Sequence, residues 1–467
     1  MTSGTRASRP VPPPPPRTAA RATRAARPDG RSRVRVVDRS QVLTAIWLGA
    51  LAVATWPVVA AAAVPGPAVP LVGVVAHVSG MLAGYAVLIL LVLISRSPAL
   101  ERGVGADVLA RWHAWGGRLV VGLVLLHAWG ATAGWAQARG EGVAGGALEV
   151  LGMPAIPAAT VGTLLLLVAG AVSARAARKK VRHETWHAVH LLMYVAIALS
   201  FGHILAGPDL AGHLVLQIGW ALAYTHVFAL VLRHRVLTPL RQAARHRLRV
   251  ADIRPEGPGV VSIVVEGQHL HELHAESGQF FRWRFLTPDH WRSAHPFSLS
   301  APPTATTLRL TVKALGDGSR NLQDLQVGTW VIAEGPYGAI TAARRRRRNV
   351  LLIAGGVGIT PMRALFETLP LAPGEDLLLL YRATTPEEIL FRAELEAIAV
   401  RRGARLTYVL GKDREALSAA ALRRGVPDLG ARDVYVCGPP GLMTAVRGAL
   451  REAGLPPGQL HEERFSF

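Results

Sequence analysis

Four histidines within long apolar stretches are spaced so that they could hold cofactors at two depths of a membrane. His113 and His127 are 14 residues apart, which on an ideal α-helix places them within about 40° of one face and about 21 Å apart along the axis. His190 and His203 are 13 residues apart on a second apolar stretch. Two imidazoles from facing helices provide the axial ligands of a six-coordinate haem. The pattern therefore predicts two haems, one between His113 and either His190 or the nearby His187, and one between His127 and His203.

The spacing on the second stretch does not fit a regular helix. A separation of 13 places His190 and His203 about 140° apart around an ideal helix, so a local helix irregularity or inward-leaning side chains must correct the geometry. His187 lies 16 residues from His203 and fits no better, and spacing alone leaves His187 and His190 as alternatives. His77 and His226 have no partner at a matching depth, which is typical of packing or pathway residues.

Six apolar stretches are long enough to cross a bilayer, which takes about 20 residues in a helix. They cover residues 41–63, 69–94, 108–135, 157–174, 184–205 and 214–232. Lys and Arg concentrate in the N-terminal tail, in residues 95–111 and 175–182, and after residue 232. Because basic connections stay in the cytoplasm, we expect a multi-pass cell membrane protein with both termini inside. We therefore expect the lipid bilayer to surround these helices as a partner of the protein.

The net charge of +21 does not indicate nucleic-acid binding. Residues 1–39 contain ten Arg and two Asp, a net +8, in a Pro- and Ala-rich segment that we expect to be disordered. Other positive charge lies beside apolar segments, where membrane topology explains it, at Arg175, Arg178, Lys179, Lys180, Arg182, Arg233 and Arg235. One cysteine, Cys437, excludes an intrachain disulfide and argues against thiolate metal clusters.

Residues 245–345 alternate short β-like runs with Gly, Pro and Asp, which predicts a small antiparallel barrel. The segment HPFSLS at 295–300 lies within it. Gly316 and Gly318 permit a turn whose backbone N–H groups, with Ser319, could approach a pyrophosphate.

Residues 349–467 change to strand, glycine loop and helix, followed by further strand and helix units. This order predicts a doubly wound parallel sheet. Gly355, Gly356 and Gly358 would let a dinucleotide pyrophosphate approach the N-terminus of the next helix.

The second strand of that sheet ends in Tyr381 and Arg382, where an acidic residue would bind a ribose hydroxyl. Arg382 favours a 2′-phosphate and hence NADPH over NADH, with an ordinary surface arginine as the alternative. Cys437 falls at the end of a later strand, where a buried inert cysteine is also common.

Histidine pairs spaced 14 and 13 on six predicted helices, followed by a nucleotide-binding module, resemble the NADPH oxidase and ferric reductase superfamily over residues 41–467. The resemblance implies that His190, in the sequence HLLMY, is the haem ligand rather than His187. It also implies two b-type haems and electron flow from cytosolic NAD(P)H through FAD to an extracytoplasmic acceptor, either oxygen or a ferric complex.

The soluble half resembles the ferredoxin reductase-like flavoproteins through HPFSLS and the glycine loop. By that likeness His295 and Pro296 lie along the flavin and Phe297 packs near it. Ser298 and Ser300 would offer hydroxyls to the isoalloxazine edge or to the phosphates. The turn with Gly316, Gly318 and Ser319 would bind the FAD pyrophosphate.

The same likeness covers the nucleotide loops. Thr360 and Pro361 match the Gly-x-Gly-x-[Ser/Thr]-Pro variant of these enzymes, and Cys437, Gly438 and Pro439 resemble their loop beside the nicotinamide. The family's terminal aromatic covers the flavin and moves to admit the nicotinamide. Phe467 and Cys437 are thus the candidates closest to the chemistry.

The expected fold class is a multi-domain membrane protein. A basic tail at 1–39 precedes a six-helix haem bundle at 40–235, an antiparallel FAD barrel at 245–345 and an α/β doubly wound NAD(P) domain at 349–467. Two other functions remain compatible with the residues: a membrane-anchored diaphorase that reduces a quinone or partner protein, and a proton-relaying transporter. The sequence leaves the terminal acceptor and the oligomeric state open.

Overall fold

The computed structural model describes residues 37–63, 70–174, 181, 183–291, 293–314, 321–338, 340–413 and 415–462. Four predicted features lie outside these residues. They are the tail up to residue 36, most of the basic connection at 175–182, the turn with Gly316, Gly318 and Ser319, and the terminal Phe467.

The first half of the chain forms a helical bundle. Its elements are α1 (Arg39–Ala63), α2 (Leu71–Leu93), α3 (Pro98–Val104), α4 (Ala106–Arg139), α5 (Val143–Gly152), α6 (Ile156–Ser173), α7 (His183–Ala206) and α8 (Leu214–Leu232). All but α3 and α5 belong to the six helices that are long and apolar enough to cross a membrane. The six predicted spans are therefore confirmed, whereas the two short helices were not predicted.

Small residues let the long helices approach closely in pairs. A Cβ at Gly130 of α4 would lie only 3.1 Å from the Cβ of Ala76 on α2. A Cβ at Gly162 of α6 would lie 2.8 Å from the carbonyl oxygen of Ala196 on α7. Close backbone contact of this kind drives helix association in lipid, where the hydrophobic effect contributes little between helices. The bundle thus contains two tight pairs, α2 with α4 and α6 with α7.

The sixth span continues beyond its predicted end at residue 232. A π-helical segment, Arg233–Leu237, joins α8 to α9 (Thr238–His246). Pro239 stands in the first turn of α9 and has no N–H to donate, and a π segment accommodates such a change in the helical hydrogen bonds. A continuous helical connection therefore leads from the membrane to the barrel.

Six antiparallel strands follow: β1 (Arg249–Gly257), β2 (Val260–Glu266), β3 (Phe280–Phe285), β4 (His295–Ser298), β5 (Thr307–Lys313) and β6 (Val331–Tyr337). They form two sheets in the orders β1-β2-β5 and β4-β3-β6. The pairs Arg249 with Trp330 and Leu299 with Leu310 bridge the sheets at both edges. The sheets therefore close into the predicted barrel, whose core includes the fully buried Phe281 and Trp283.

The last part contains a five-stranded parallel sheet with helices on both faces. Its strands are β7 (Asn349–Gly355), β8 (Leu377–Ala383), β9 (Arg405–Leu410), β10 (Arg432–Cys437) and β11 (Leu460–Glu462), in the order β11-β10-β7-β8-β9. The helices are α10 (Ile359–Thr368), α11 (Arg392–Arg402), α12 (Ala419–Gly425) and α13 (Pro440–Glu452). Leu352 packs in the core with α10 and α11, while its neighbour Leu351 packs with α12 and α13. The predicted doubly wound fold is confirmed.

Two buried polar contacts fix the soluble parts to one another. Arg309 of β5 donates to both carboxylate oxygens of Glu394 on α11, at 2.8 and 2.9 Å. Asp433 of β10 is fully buried and accepts the backbone N–H groups of Arg346 and Arg347, which follow the barrel. Its other oxygen lies 2.9 Å from Nε2 of His461 on β11.

We expect Asp433→Ala to destabilise the soluble half, because it leaves two backbone N–H groups and an imidazole without their acceptor. Buried groups without partners cost about 1–3 kcal/mol each, and about 1 kcal/mol lowers the unfolding temperature of a part of this size by roughly 2–4 °C, so the fall should be roughly 6 °C or more. Differential scanning calorimetry of the full-length protein in detergent measures this change. The exposed Asp324 provides the control variant Asp324→Ala, and equal unfolding temperatures for the two variants would contradict the assigned role of Asp433.

Candidate functional site

The four predicted histidines meet as two facing pairs. The ring centroids of His113 and His190 are 6.0 Å apart, and those of His127 and His203 are 5.9 Å apart. A metal held between two imidazoles at the roughly 2 Å usual for such bonds separates the ring centroids by about 6 Å. The residues therefore fit bis-histidine haem ligation at both depths.

The ring that faces His113 is that of His190, the residue favoured by the family resemblance. The helix α7 is continuous from His183 to Ala206, so the helix irregularity considered for it is not needed. The rings of His190 and His203 reach their partners from a regular helix, which requires the side chains to lean inward.

Backbone carbonyls of α2 contact the second ring nitrogens of two candidate ligands. Nδ1 of His127 lies 2.8 Å from the carbonyl oxygen of Ala76, and Nδ1 of His113 lies 3.2 Å from that of Leu90. Donation from Nδ1 leaves Nε2 as the nitrogen with a free lone pair, which suits a metal ligand. A Cβ at Gly80 would lie 2.6 Å from Nδ1 of His127, so a glycine is needed there for the ring to reach α2.

A cavity of about 1990 Å³ separates the two helix pairs. All four histidines line it, and most of its other lining residues are apolar residues of α2, α4, α6 and α7. Sites for one small molecule usually measure about 300–1,000 Å³. The cavity is therefore large enough for two sizeable apolar cofactors.

His77, for which no partner was predicted, has one in the structure. Nδ1 of His77 lies 3.0 Å from Oδ2 of Asp209, in the connection between α7 and α8. Both residues line the same cavity. Trp56 donates to the carbonyl oxygen of Asp209 at 2.8 Å and so holds this connection against α1. Asp209 follows a helix end and has no spacing signal that would have revealed the pair.

In the barrel, the HPFSLS segment lies beside β3. Trp283 donates from Nε1 to the carbonyl oxygen of Phe297 at 3.0 Å, and the rings of His295 and Phe297 stack with centroids 6.2 Å apart. The buried hydroxyl of Ser298 has no hydrogen-bond partner among the described residues. An unsatisfied buried hydroxyl fits a polar group of a bound cofactor such as FAD.

Ser300, whose hydroxyl is predicted to contact the cofactor, also has partners within the barrel. It is fully buried, and its hydroxyl accepts a hydrogen bond of 2.8 Å from Thr311 on β5. Arg309 also donates to the Ser300 carbonyl oxygen at 2.9 Å. The hydroxyl is thus used within the barrel core, because residue 300 lies past β4 where the chain crosses to β5.

The glycine loop and the Cys437 loop meet at the carboxyl edge of the parallel sheet. Strand β7 has β8 on one side and β10 on the other, so the chain reverses its direction of winding between β7 and β10, where such sheets bind ligands. A Cβ at Gly358 would lie 2.4 Å from the carbonyl oxygen of Cys437. Gly356 has a φ of +53°, which favours glycine.

The remaining predicted residues of this site are placed around that loop. Thr360 donates to the carbonyl oxygen of Val357 at 3.0 Å, and Pro361 follows it in the first turn of α10. Gly438 and Pro439 lie between β10 and α13. A Cβ at Gly355 would lie 2.1 Å from Cδ2 of Leu442, so a larger residue there would have to displace that side chain.

Arg382 lies at the carboxyl end of β8, as predicted. Its Nη2 donates to the carbonyl oxygens of Asp413 at 2.6 Å and Gly411 at 3.3 Å, just beyond β9. The guanidinium is therefore positioned by the neighbouring loop at the edge of the sheet.

A polar junction that the sequence did not predict joins the bundle to the barrel. Arg96, between α2 and α3, forms an ion pair with Glu334 of β6. Glu334 is only 6% exposed. Nη2 of Arg284 lies 3.7 Å from the same carboxylate. Gln242 of α9 donates to the carbonyl oxygen of Gly335 at 2.8 Å. These contacts are distant in sequence, and no motif marks them.

A second carboxyl group lies within this junction. Burial raises the pKa of Glu101 on α3 to about 7, although Arg96, Arg282 and Arg235 act in the opposite direction. Arg235 donates to the carbonyl oxygen of Ile94 at 2.8 Å and also lines the histidine cavity. The junction therefore extends from the barrel to the end of the cavity that is lined by His113 and His190.

Comparison with known proteins gives separate matches for the membrane bundle and for the parallel sheet. Residues 79–201 match the family described as ferric reductase like transmembrane component. The matched residues include three of the four paired histidines, and His203 lies just beyond them. Residues 352–448 match the oxidoreductase NAD-binding domain.

Curated relatives match part of this chain. The glycine betaine monooxygenase reductase subunit of Chromohalobacter salexigens is 33% identical over 36% of this chain and 49% of its own length. The ferredoxin reductase component of 3-ketosteroid-9-alpha-monooxygenase from Mycolicibacterium smegmatis is 30% identical over 47% and 65%, respectively. NADH-cytochrome b5 reductase 1 of Ajellomyces capsulatus is 30% identical over 43% and 69%.

The chain spans about half to two thirds of the length of these relatives. Each of the three alignments covers less than half of this chain. The bundle and the parallel-sheet part match two different family descriptions. Together the matches show that the chain combines a ferric reductase like transmembrane component with a ferredoxin reductase-type oxidoreductase module that binds FAD and NAD(P)H.

Proposed function

We propose that the protein moves electrons from cytosolic NAD(P)H through FAD and two b-type haems to an acceptor outside the membrane. The acceptor is oxygen, which would leave as superoxide, or a ferric iron complex. The observation that carries this proposal is the pair of facing histidine sets in one membrane cavity, at ring separations of 6.0 and 5.9 Å. Packing alone gives no reason for two such pairs on the same two helices.

Each cofactor has a set of residues to hold it. His113 with His190 would ligate the inner haem, and His127 with His203 the outer haem. FAD would be bound by His295, Pro296, Phe297, Ser298, Gly316, Gly318, Ser319 and Phe467, while NAD(P)H would be bound by Gly355, Gly356, Gly358, Thr360, Pro361, Arg382, Cys437, Gly438 and Pro439.

FAD and the haems would have different roles because they carry different numbers of electrons at a time. Bound FAD would accept electrons in pairs from a nicotinamide and release them one at a time, as haem iron requires. The histidine pairs would fill both axial positions of each iron, which favours electron transfer over oxygen binding at the metal. The apolar cavity walls would exclude water from both haems.

The direction of transfer is supported by the junction. The connection between α2 and α3 belongs to the basic segment 95–111, which we expect in the cytoplasm. Arg96 in this connection contacts the barrel through Glu334. The barrel would therefore lie on the cytoplasmic side, where NAD(P)H is found, next to the inner histidine pair.

The first prediction concerns haem content. The purified protein should bind two b-type haems per chain, seen in a reduced-minus-oxidised spectrum and counted by a haem assay. His190→Ala and His127→Ala should each lose one haem, because each removes one axial ligand. His187→Ala is the matched control on α7 and should keep both. The absence of a b-type signal from the unmodified protein would refute the proposal.

The second prediction concerns the junction. Glu334→Gln removes the buried charge that pairs with Arg96, and breaking such a pair typically costs about 3–5 kcal/mol. Stopped-flow measurements should show flavin reduction by NAD(P)H at the unmodified rate and haem reduction slowed several-fold. Glu272→Gln, which removes the exposed partner of Arg245, is the control. Equal haem reduction in Glu334→Gln and the unmodified protein would show that the junction does not position the barrel.

The third prediction concerns the nucleotide. If Arg382 favours the 2′-phosphate of NADPH, Arg382→Gln should raise the KM for NADPH about tenfold or more, since charge-assisted hydrogen bonds contribute about 1.5–3 kcal/mol. The KM for NADH should change little. Arg424→Gln on α12 provides a control at an exposed arginine. Equal changes for both nucleotides would assign Arg382 to loop structure alone.

A further inference from the structure

The two histidines of the inner pair are held in different ways. His113 has a backbone carbonyl, that of Leu90, 3.2 Å from its Nδ1. The Nδ1 of His190 is buried and has no hydrogen-bond partner among the described residues. His190 is instead covered by an aromatic ring, because Trp186 stacks on it with centroids 5.2 Å apart and an angle of 17° between the planes.

Trp186 is itself fixed in place. Its Nε1 donates a hydrogen bond of 3.1 Å to Oγ of Ser173, the last residue of α6. Trp186 precedes His190 by four residues, which puts both side chains on the same face of α7. Both residues line the cavity. The contact with α6 therefore sets the plane of the indole, and the indole sets the plane of the imidazole.

The arrangement has a consequence for the bond to a metal. A hydrogen bond from the second ring nitrogen makes an imidazole a stronger electron donor, and hydrogen bonding around the ligands tunes the potential of haem iron. At His113 a carbonyl is available for this role. At His190 the stacked indole covers the ring and no described acceptor contacts Nδ1, so this ligand would donate less electron density.

We propose that Trp186 is a positioning residue for the inner haem, fixing the plane of the His190 imidazole by stacking instead of by a hydrogen bond. The ligand that it orients belongs to a six-coordinate haem, so this inference rests on the proposed function. It adds that the inner haem has a higher potential than it would have with a hydrogen-bonded His190. It also adds that the angle between the two imidazole planes depends on α6.

The test uses the full-length protein loaded with haem. Electron paramagnetic resonance of the oxidised protein reports the relative orientation of axial imidazoles, and a redox titration gives the midpoint potential of each haem. Trp186→Leu removes the stacking, Trp186→Phe keeps an aromatic ring without the indole N–H, and Ser173→Ala removes only the hydrogen bond to the indole. Trp115→Leu is the control, because Trp115 lies two residues from His113 but is 60% exposed.

In Trp186→Leu we expect one haem signal to shift in the resonance spectrum, because the plane of the His190 ring is no longer fixed. The potential of the inner haem should fall, because the smaller side chain uncovers Nδ1 of His190 and lets it donate a hydrogen bond to water. The outer haem should not change. Trp186→Phe should restore most of the unmodified behaviour, Ser173→Ala should give a smaller shift of the same haem, and Trp115→Leu should match the unmodified protein.

Unchanged spectra and potentials in Trp186→Leu, with both haems bound, would overturn the inference and leave the proposed function intact. If Trp186→Leu fails to bind the inner haem, Trp186→Phe and Ser173→Ala provide the test instead. Unmodified signals in both of these variants would overturn the inference. A protein that contains no haem before any substitution would overturn the proposed function first, so the two failures are distinguishable.

Discussion

The backbone of α2 orients two of the four paired histidines, because its carbonyl oxygens contact their second ring nitrogens. The Nδ1 atoms of His113 and His127 lie 3.2 and 2.8 Å from carbonyl oxygens of α2. Such contacts require α2 and α4 to lie very close together, and small residues at Ala76, Gly80 and Gly130 allow it. The orientation of the rings, the cavity beside them and the space for cofactors all depend on this approach.

The soluble half is attached to that bundle by charge and hydrogen bonds. Arg96 and Glu334 join the bundle to the barrel, while Arg309 and Glu394 join the barrel to the parallel sheet. In each case the charged groups are at least partly removed from water, where loss of one partner is expensive. The proposed order of carriers, from nucleotide to flavin to inner haem, follows the order in which these three parts contact one another.

Much of this architecture could be predicted from the sequence, because helices and strands leave regular patterns of apolar residues along the chain. Apolar runs of membrane length identified the six spans, and alternating short strands identified the barrel. The choice between His187 and His190 could not be made from spacing, because it depends on how side chains lean from a regular helix. Pairs that are distant in sequence, such as Arg96 with Glu334 and His77 with Asp209, leave no local signal.

Other details depend on neighbouring elements and are visible only in the structure. Ser300, which was expected at the flavin, accepts a hydrogen bond from Thr311 inside the barrel. The sixth helix was expected to end at residue 232, but the π segment Arg233–Leu237 carries it past Pro239. Neither outcome contradicts the local residue preferences, since both depend on the register of neighbouring elements.

Sealed proteoliposomes test transmembrane electron transfer most directly. NADPH is supplied only outside, where it reaches the molecules whose soluble half faces out, and a membrane-impermeant ferric chelate or a superoxide probe is enclosed inside. The proposed pathway predicts reduction of the enclosed acceptor, and no reduction with the His127→Ala variant. Reduction confined to an acceptor placed on the same side as NADPH would contradict it and would indicate a membrane-anchored diaphorase.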